Sequence, residues 1–133
     1  MYLWVVIFIT SCALPKQPDL TGKEIQYFKE LEAKCHCKII REVNIYVTKE
    51  FRKYPNDIGY YYIGFKDLPC AVLASKDSLS KVAMSVAKKL NQEVIGKDFQ
   101  YLDEEITVVF ECNPSPNSSN SVSFDFKPKD LKF

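Results

Sequence analysis

Between Ile39 and Phe51, apolar and polar residues alternate with a period of two, and this alternation limits the fold more than any other stretch. Ile39, Val43, Ile45, Val47 and Phe51 share one parity, interrupted by Arg41 and Lys49, while Glu42, Asn44, Tyr46, Thr48 and Glu50 share the other. Successive side chains of a strand point to opposite faces, so the segment reads as a half-buried strand. A sheet buried on one face needs a second layer to cover it, and helices are the economical cover.

The flanking sequence supplies them. Thr21-Gly22-Lys23-Glu24 fits a capping box, with Thr21 at N-cap and Glu24 at N3, and Leu20 and Ile25 occupy the positions of a hydrophobic staple. Ile25, Phe28, Leu31 and Cys35 recur at helical spacing, which predicts a helix over 22–35. After turn residues at Tyr54–Gly59, a second strand is expected over Tyr60–Phe65, joined to the first as an antiparallel hairpin and ended by Leu68-Pro69. Cys70–Ala74 is extended or leads into a second helix. That helix carries Leu79, Val82, Ala83, Val86, Leu90 and Val94 on one face, Asp77 or Ser78 as cap and Gly96 as stop. A third strand is expected at about 105–112, with Ile106, Val108, Phe110 and Cys112 on one face. Asn113–Ser121 reads as a polar loop, followed by a fourth strand through Val122, Phe124 and Phe126. The expected fold class is α+β. It has a small antiparallel or mixed sheet of about four strands with two helices on one face, in the order αββαββ.

Composition agrees with a folded domain. The chain has 133 residues, 47% of them apolar, so one core can form. A net charge of +1 gives no electrostatic reason to expect nucleic acid as a partner.

Met1–Thr10 is uncharged and almost wholly apolar, long enough for the core of a signal peptide and too short to span a bilayer. Ile9-Thr10-Ser11-Cys12 follows, and it resembles the lipobox of bacterial lipoproteins. The resemblance implies a signal peptide over 1–11, removed before Cys12, with Cys12 lipidated and acylated as the first residue of the mature chain. It also implies a location in the bacterial cell envelope, lipid-anchored, at the outer membrane or the periplasmic face. Residues 12–20 would then be a tether, since Ala13–Leu20 holds two prolines, and 21–133 a single domain. The alternatives are a first strand through Val5–Ile9, or a secretory signal cleaved near Ala13.

Setting Cys12 aside leaves Cys35, Cys37, Cys70 and Cys112, an even number suited to disulfides in an exported chain. The hairpin puts the start of the first strand beside the end of the second. The crossover helix makes the third strand run with the second, so all four sulfurs gather at one end of the sheet. Joining Cys35 to Cys37 closes a very small loop, so the expected bridges run from each of these to Cys70 or Cys112. The alternatives are free or buried thiols and, after them, metal or redox chemistry; the single-residue spacing of Cys35-His36-Cys37 argues against zinc. No cofactor is expected.

No catalytic constellation emerges. His36 is the lone histidine and reads as a surface or capping residue. Ser78-Leu79-Ser80-Lys81 and Ser85-Val86-Ala87-Lys88 match the serine–lysine pattern of penicillin-binding enzymes without its partner motifs. Asp103, Glu104 and Glu105 read as solvated surface. Tyr46, Tyr60 and Tyr62 share the parity opposite the apolar face and form a candidate binding patch. The expectation is a non-catalytic envelope lipoprotein that binds another protein. The alternatives are a small-ligand or metal-binding module at the cysteine end or tyrosine face, or an enzyme of unrecognised type.

Overall fold

The computed structural model describes residues 19–45, 58–95 and 105–131. The expected signal segment, Cys12, most of the expected tether, Tyr46, Gly96, Asp103 and Glu104 lie outside the described residues. Helix α1 (Gly22–Cys35) leads into strand β1 (Lys38–Ile45), which pairs antiparallel with β2 (Ile58–Lys66). A 3-10 turn at Cys70–Ala74 feeds α2 (Lys76–Lys89), which is extended by a π turn at Leu90–Val94. Strand β3 (Ile106–Ser115) runs parallel to β2, and β4 (Ser118–Phe126) returns antiparallel to β3. The sheet order is β1-β2-β3-β4, so the fold is α+β with a mixed four-stranded sheet in the order αββαββ. Among the described residues no helix is long and apolar enough to cross a membrane.

Register aligns the inward residues in rows. Ile39, Phe65, Phe110 and Val122 form one row, Arg41, Ile63, Val108 and Phe124 the next, and Val43, Tyr61, Ile106 and Phe126 the third. Phe65 stacks on Phe110 at 4.9 Å, and Phe124 meets Phe110 edge-on at 6.1 Å. Tyr27 and Phe28 of α1 and Leu79, Ala83, Val86, Ala87 and Leu90 of α2 join these rows in one core. Both helices therefore cover the same face of the sheet. Each large apolar side chain buried there contributes about 1.5–3 kcal/mol before the entropy of ordering is counted.

The capping box forms as the sequence implies. Thr21 Oγ1 accepts from Glu24 N–H at 3.2 Å, and Glu24 Oε1 accepts from Thr21 N–H at 2.9 Å. The buried stripe of α1 differs from expectation, because Glu24, Tyr27 and Phe28 turn inward while Leu20 and Ile25 are exposed. On α2, Val82 is likewise exposed and Ala87 is buried in its place; Ser75 stands at the N-cap instead of Asp77 or Ser78. The π turn bonds Ile95 N–H to Leu90 carbonyl at 2.7 Å. The extra residue it accommodates lets Val94 and Ile95, neighbours in sequence, both reach the core.

Asn113–Ser121 is a hairpin extension and not a loop. β3 and β4 continue through it and turn at Pro116-Asn117, with Ser115 opposite Ser118. Asn117 has no positive φ, so the turn is not of the primed type that matches strand twist, and a register shift between Cys112 and Ser115 absorbs the mismatch. Its residues are exposed, so the ladder needs no apolar alternation, and the polar composition concealed it.

Candidate functional site

The outer face of the sheet is the surface that the helices leave uncovered. Register places Ile40, Gly64, Val109 and Ser123 in one row and Glu42, Tyr62, Thr107 and Asp125 in the next. A Cβ on Gly64 would stand 3.1 Å from Ile40 Cγ1 and 3.1 Å from both Cε1 and the hydroxyl of Tyr62. The tyrosine ring therefore lies along β2 over Gly64 and beside Ile40, close enough that any side chain at position 64 would push it by a few tenths of an ångström. Ile40 and the Tyr62 ring, both half-buried, and Val109, which is buried, form an apolar strip across three strands. Charged and hydroxyl groups border it. Lys66 pairs with Glu111 across β2 and β3, and Thr107 Oγ1 donates to Asp125 Oδ1 at 2.7 Å. The Glu111 hydrogen bond raises the Lys66 ammonium pKa, so that charge persists. Of the expected tyrosine patch, Tyr62 is on this face, Tyr60 lies two residues earlier on β2, and Tyr46 is outside the described residues.

The cysteine end forms as topology implies, but with different partners. Cys70 pairs with Cys112, their Cα atoms 5.1 Å apart, and Cys35 pairs with Cys37 at 5.2 Å. The expected cross-pairing fails because of strand order. β2 separates β1 from β3, so the start of β1 lies two strand spacings, roughly 10 Å, from Cys112, beyond disulfide reach. Cys70 instead follows β2 directly and is held beside β3, where Leu68 N–H donates to Glu111 carbonyl at 3.1 Å. A cross-link spanning 42 residues restricts the unfolded chain by about 4 kcal/mol, and one spanning 2 residues by about 1.5 kcal/mol. His36 caps α1 in the left-handed region, φ 52°, and donates its N–H to Glu32 carbonyl at 3.0 Å.

A buried ionic cluster went unread in the sequence. Glu24 is fully buried; its Oε2 accepts from the Tyr61 hydroxyl and lies 3.5 Å from Arg41 Nε. Arg41 on the apolar parity of β1 was the available signal, since an inward arginine calls for a buried anion. The cluster is sealed beneath α1.

Between the helices a cleft of about 170 Å³ is lined by Lys23, Gln26, Tyr27, Glu30, Lys89 and Glu93. Lys89 Nζ lies 3.7 Å from Glu30, 3.9 Å from Glu93 and 4.9 Å from the Tyr27 ring centre. Burial, then the carboxylates of Glu30 and Glu93, push the Tyr27 hydroxyl up to about 12. The serine–lysine matches lie on α2, where Ser78 and Lys81, and likewise Ser85, are exposed and Lys88 is half-buried. Glu105 is half-buried just before β3.

No protein-family model, curated protein or solved structure matches the chain.

Proposed function

We propose that the chain is a non-catalytic, lipid-anchored domain of the bacterial cell envelope that docks a partner protein on the outer face of its sheet. The observation that carries this reading is the pair of half-exposed apolar side chains Ile40 and Tyr62, flanked by buried Val109, set in a border of charged and hydroxyl groups on the face that neither helix covers. An apolar centre with a polar rim is the usual anatomy of a protein interface. A tyrosine seated on a glycine presents its area with little conformational freedom to lose on binding. Sealing of Glu24, Arg41 and Tyr61 beneath α1 keeps that ionisable group away from any substrate. The anchor rests on the resemblance of Ile9-Thr10-Ser11-Cys12 to a lipobox.

Two experiments test the two halves. A photo-reactive amino acid is placed at Thr107 on the outer face, and in a second variant at Met84 on α2, and membranes of the native host are irradiated. The reading requires a discrete protein adduct from position 107 and none from 84; adducts from 84 alone, or from neither, contradict it. The intact mass of the membrane-extracted protein tests the anchor. A lipidated chain beginning at Cys12 supports it, and an unprocessed chain beginning at Met1 removes it.

A further inference from the structure

The junction carrying Cys35 and Cys37 is held closed by bonds other than the one between their sulfurs. Glu32 clamps it twice. Its carbonyl accepts from His36 N–H at 3.0 Å, and its carboxylate accepts from Ile39 N–H at 3.4 Å. His36 already occupies the left-handed region that ends α1. Opening the Cys35–Cys37 bridge therefore releases little of the fold, and the two thiols remain side by side, ready to close again. Both residues are half-buried at the rim of the core. The other bridge differs in what it holds: Cys70 is exposed, but Cys112 is fully buried on β3, and their bond ties the segment after β2 to that strand.

From this contrast we infer that Cys35-His36-Cys37 is a reversible thiol–disulfide exchange site whose co-substrate is an external dithiol, while Cys70–Cys112 is a structural cross-link. The incoming thiolate attacks Cys35 Sγ, and the electron pair of the broken S–S bond leaves on Cys37 Sγ. The polarity of the site sets that direction. Cys35 ends α1, where the negative end of the helix dipole disfavours a thiolate. Cys37 lies beyond the helix next to Lys38, whose ammonium favours one, and the sulfur of lower pKa leaves faster. The second thiol of the dithiol then attacks its own sulfur in the mixed disulfide and frees Cys35. In sum, two electrons and two protons pass from the dithiol to the cysteine pair, and the dithiol becomes a disulfide. The reverse reaction needs a disulfide oxidant.

The test is a redox titration of the full oxidised chain with dithiothreitol, reduced and oxidised in varied ratio, followed by iodoacetamide labelling and peptide mass analysis. Cys35 and Cys37 are expected to be labelled together at a reductant level at least about tenfold below that needed for Cys70 and Cys112. The circular dichroism of the fold should persist, and oxidised dithiothreitol should restore the bridge. Opening of Cys70–Cys112 first, simultaneous opening with loss of the fold, or free thiols at Cys35 and Cys37 in the air-oxidised protein would each overturn the inference. Two single variants test the direction. The thiol left in Cys35→Ser should react with a dipyridyl disulfide several-fold faster than the thiol left in Cys37→Ser, and the opposite order contradicts the assigned attack.

Discussion

Tyr62 and Ile63 are neighbours on β2, yet they belong to two different surfaces. Ile63 faces inward, fully buried in a row that runs from Arg41 through Val108 to Phe124. Tyr62 faces outward, half-exposed, its ring laid over a glycine. On the inner face, each residue is constrained by a helix above it and by strands beside it. On the outer face, the constraint comes from within the sheet, through Gly64 and the Lys66–Glu111 and Thr107–Asp125 pairs. One face specifies the fold, which leaves the other able to carry recognition without weakening it.

That contrast can be broken most severely from the inside. Glu24→Ala removes the acceptor of Tyr61, the carboxylate beside Arg41 and half of the capping box, so denaturant unfolding should show a loss of about 3–5 kcal/mol. A loss below about 1 kcal/mol would mean that the cluster is not sealed. Removing the structural bridge with Cys70→Ala and Cys112→Ala together should cost about 2–4 kcal/mol in the same assay.

Tyr27 gives a pH-dependent version. Its folded pKa of about 12 lies above the ordinary tyrosine value of 10.0, so the folded state keeps the proton that the unfolded chain releases. The contribution is fully present below pH 10 and is lost as pH rises towards 12, by about 1 kcal/mol once screening by solvent is allowed for. Tyr27→Phe should flatten that part of the stability–pH curve, and an unchanged alkaline slope would contradict the burial of the hydroxyl.

Outer-face changes should be smaller. Gly64→Ala places a Cβ against Ile40 and the Tyr62 ring; the ring should lift, altering the tyrosine signal in near-ultraviolet circular dichroism, with a stability change of about 1 kcal/mol or less. Lys66→Met should change stability least, by about 0–1 kcal/mol, because its pair with Glu111 is partly solvated. A loss of several kcal/mol from either variant would show an outer face as tightly packed as the inner one.

Much of the architecture was legible because it rests on local rules. The capping box at Thr21 and Glu24, the alternation through Ile39 and Val43, and the helical spacing of Leu79, Ala83, Val86 and Leu90 each specify an element by itself. The direction of β3 followed from the crossover helix. What escaped depends on relations between elements. A capping glutamate is ordinarily solvated, so nothing in α1 alone revealed that Glu24 turns inward to Arg41, displacing Ile25 outward. The cysteine partners required knowing that β2 lies between β1 and β3. The hairpin tip around Pro116 was concealed because exposed strands there bury nothing. In the candidate site, parity placed Tyr62 correctly, whereas the packing of its ring on Gly64 is a cross-position contact that periodicity does not encode.

The division between the two faces is tested most directly by measuring the unfolding free energies of Tyr62→Ser and Ile63→Ala side by side. The account predicts about 2–5 kcal/mol lost at Ile63 and about 1 kcal/mol or less at Tyr62. Equal losses at the two neighbours would mean that the outer face is packed as the inner one is, and would contradict an open face available to a partner.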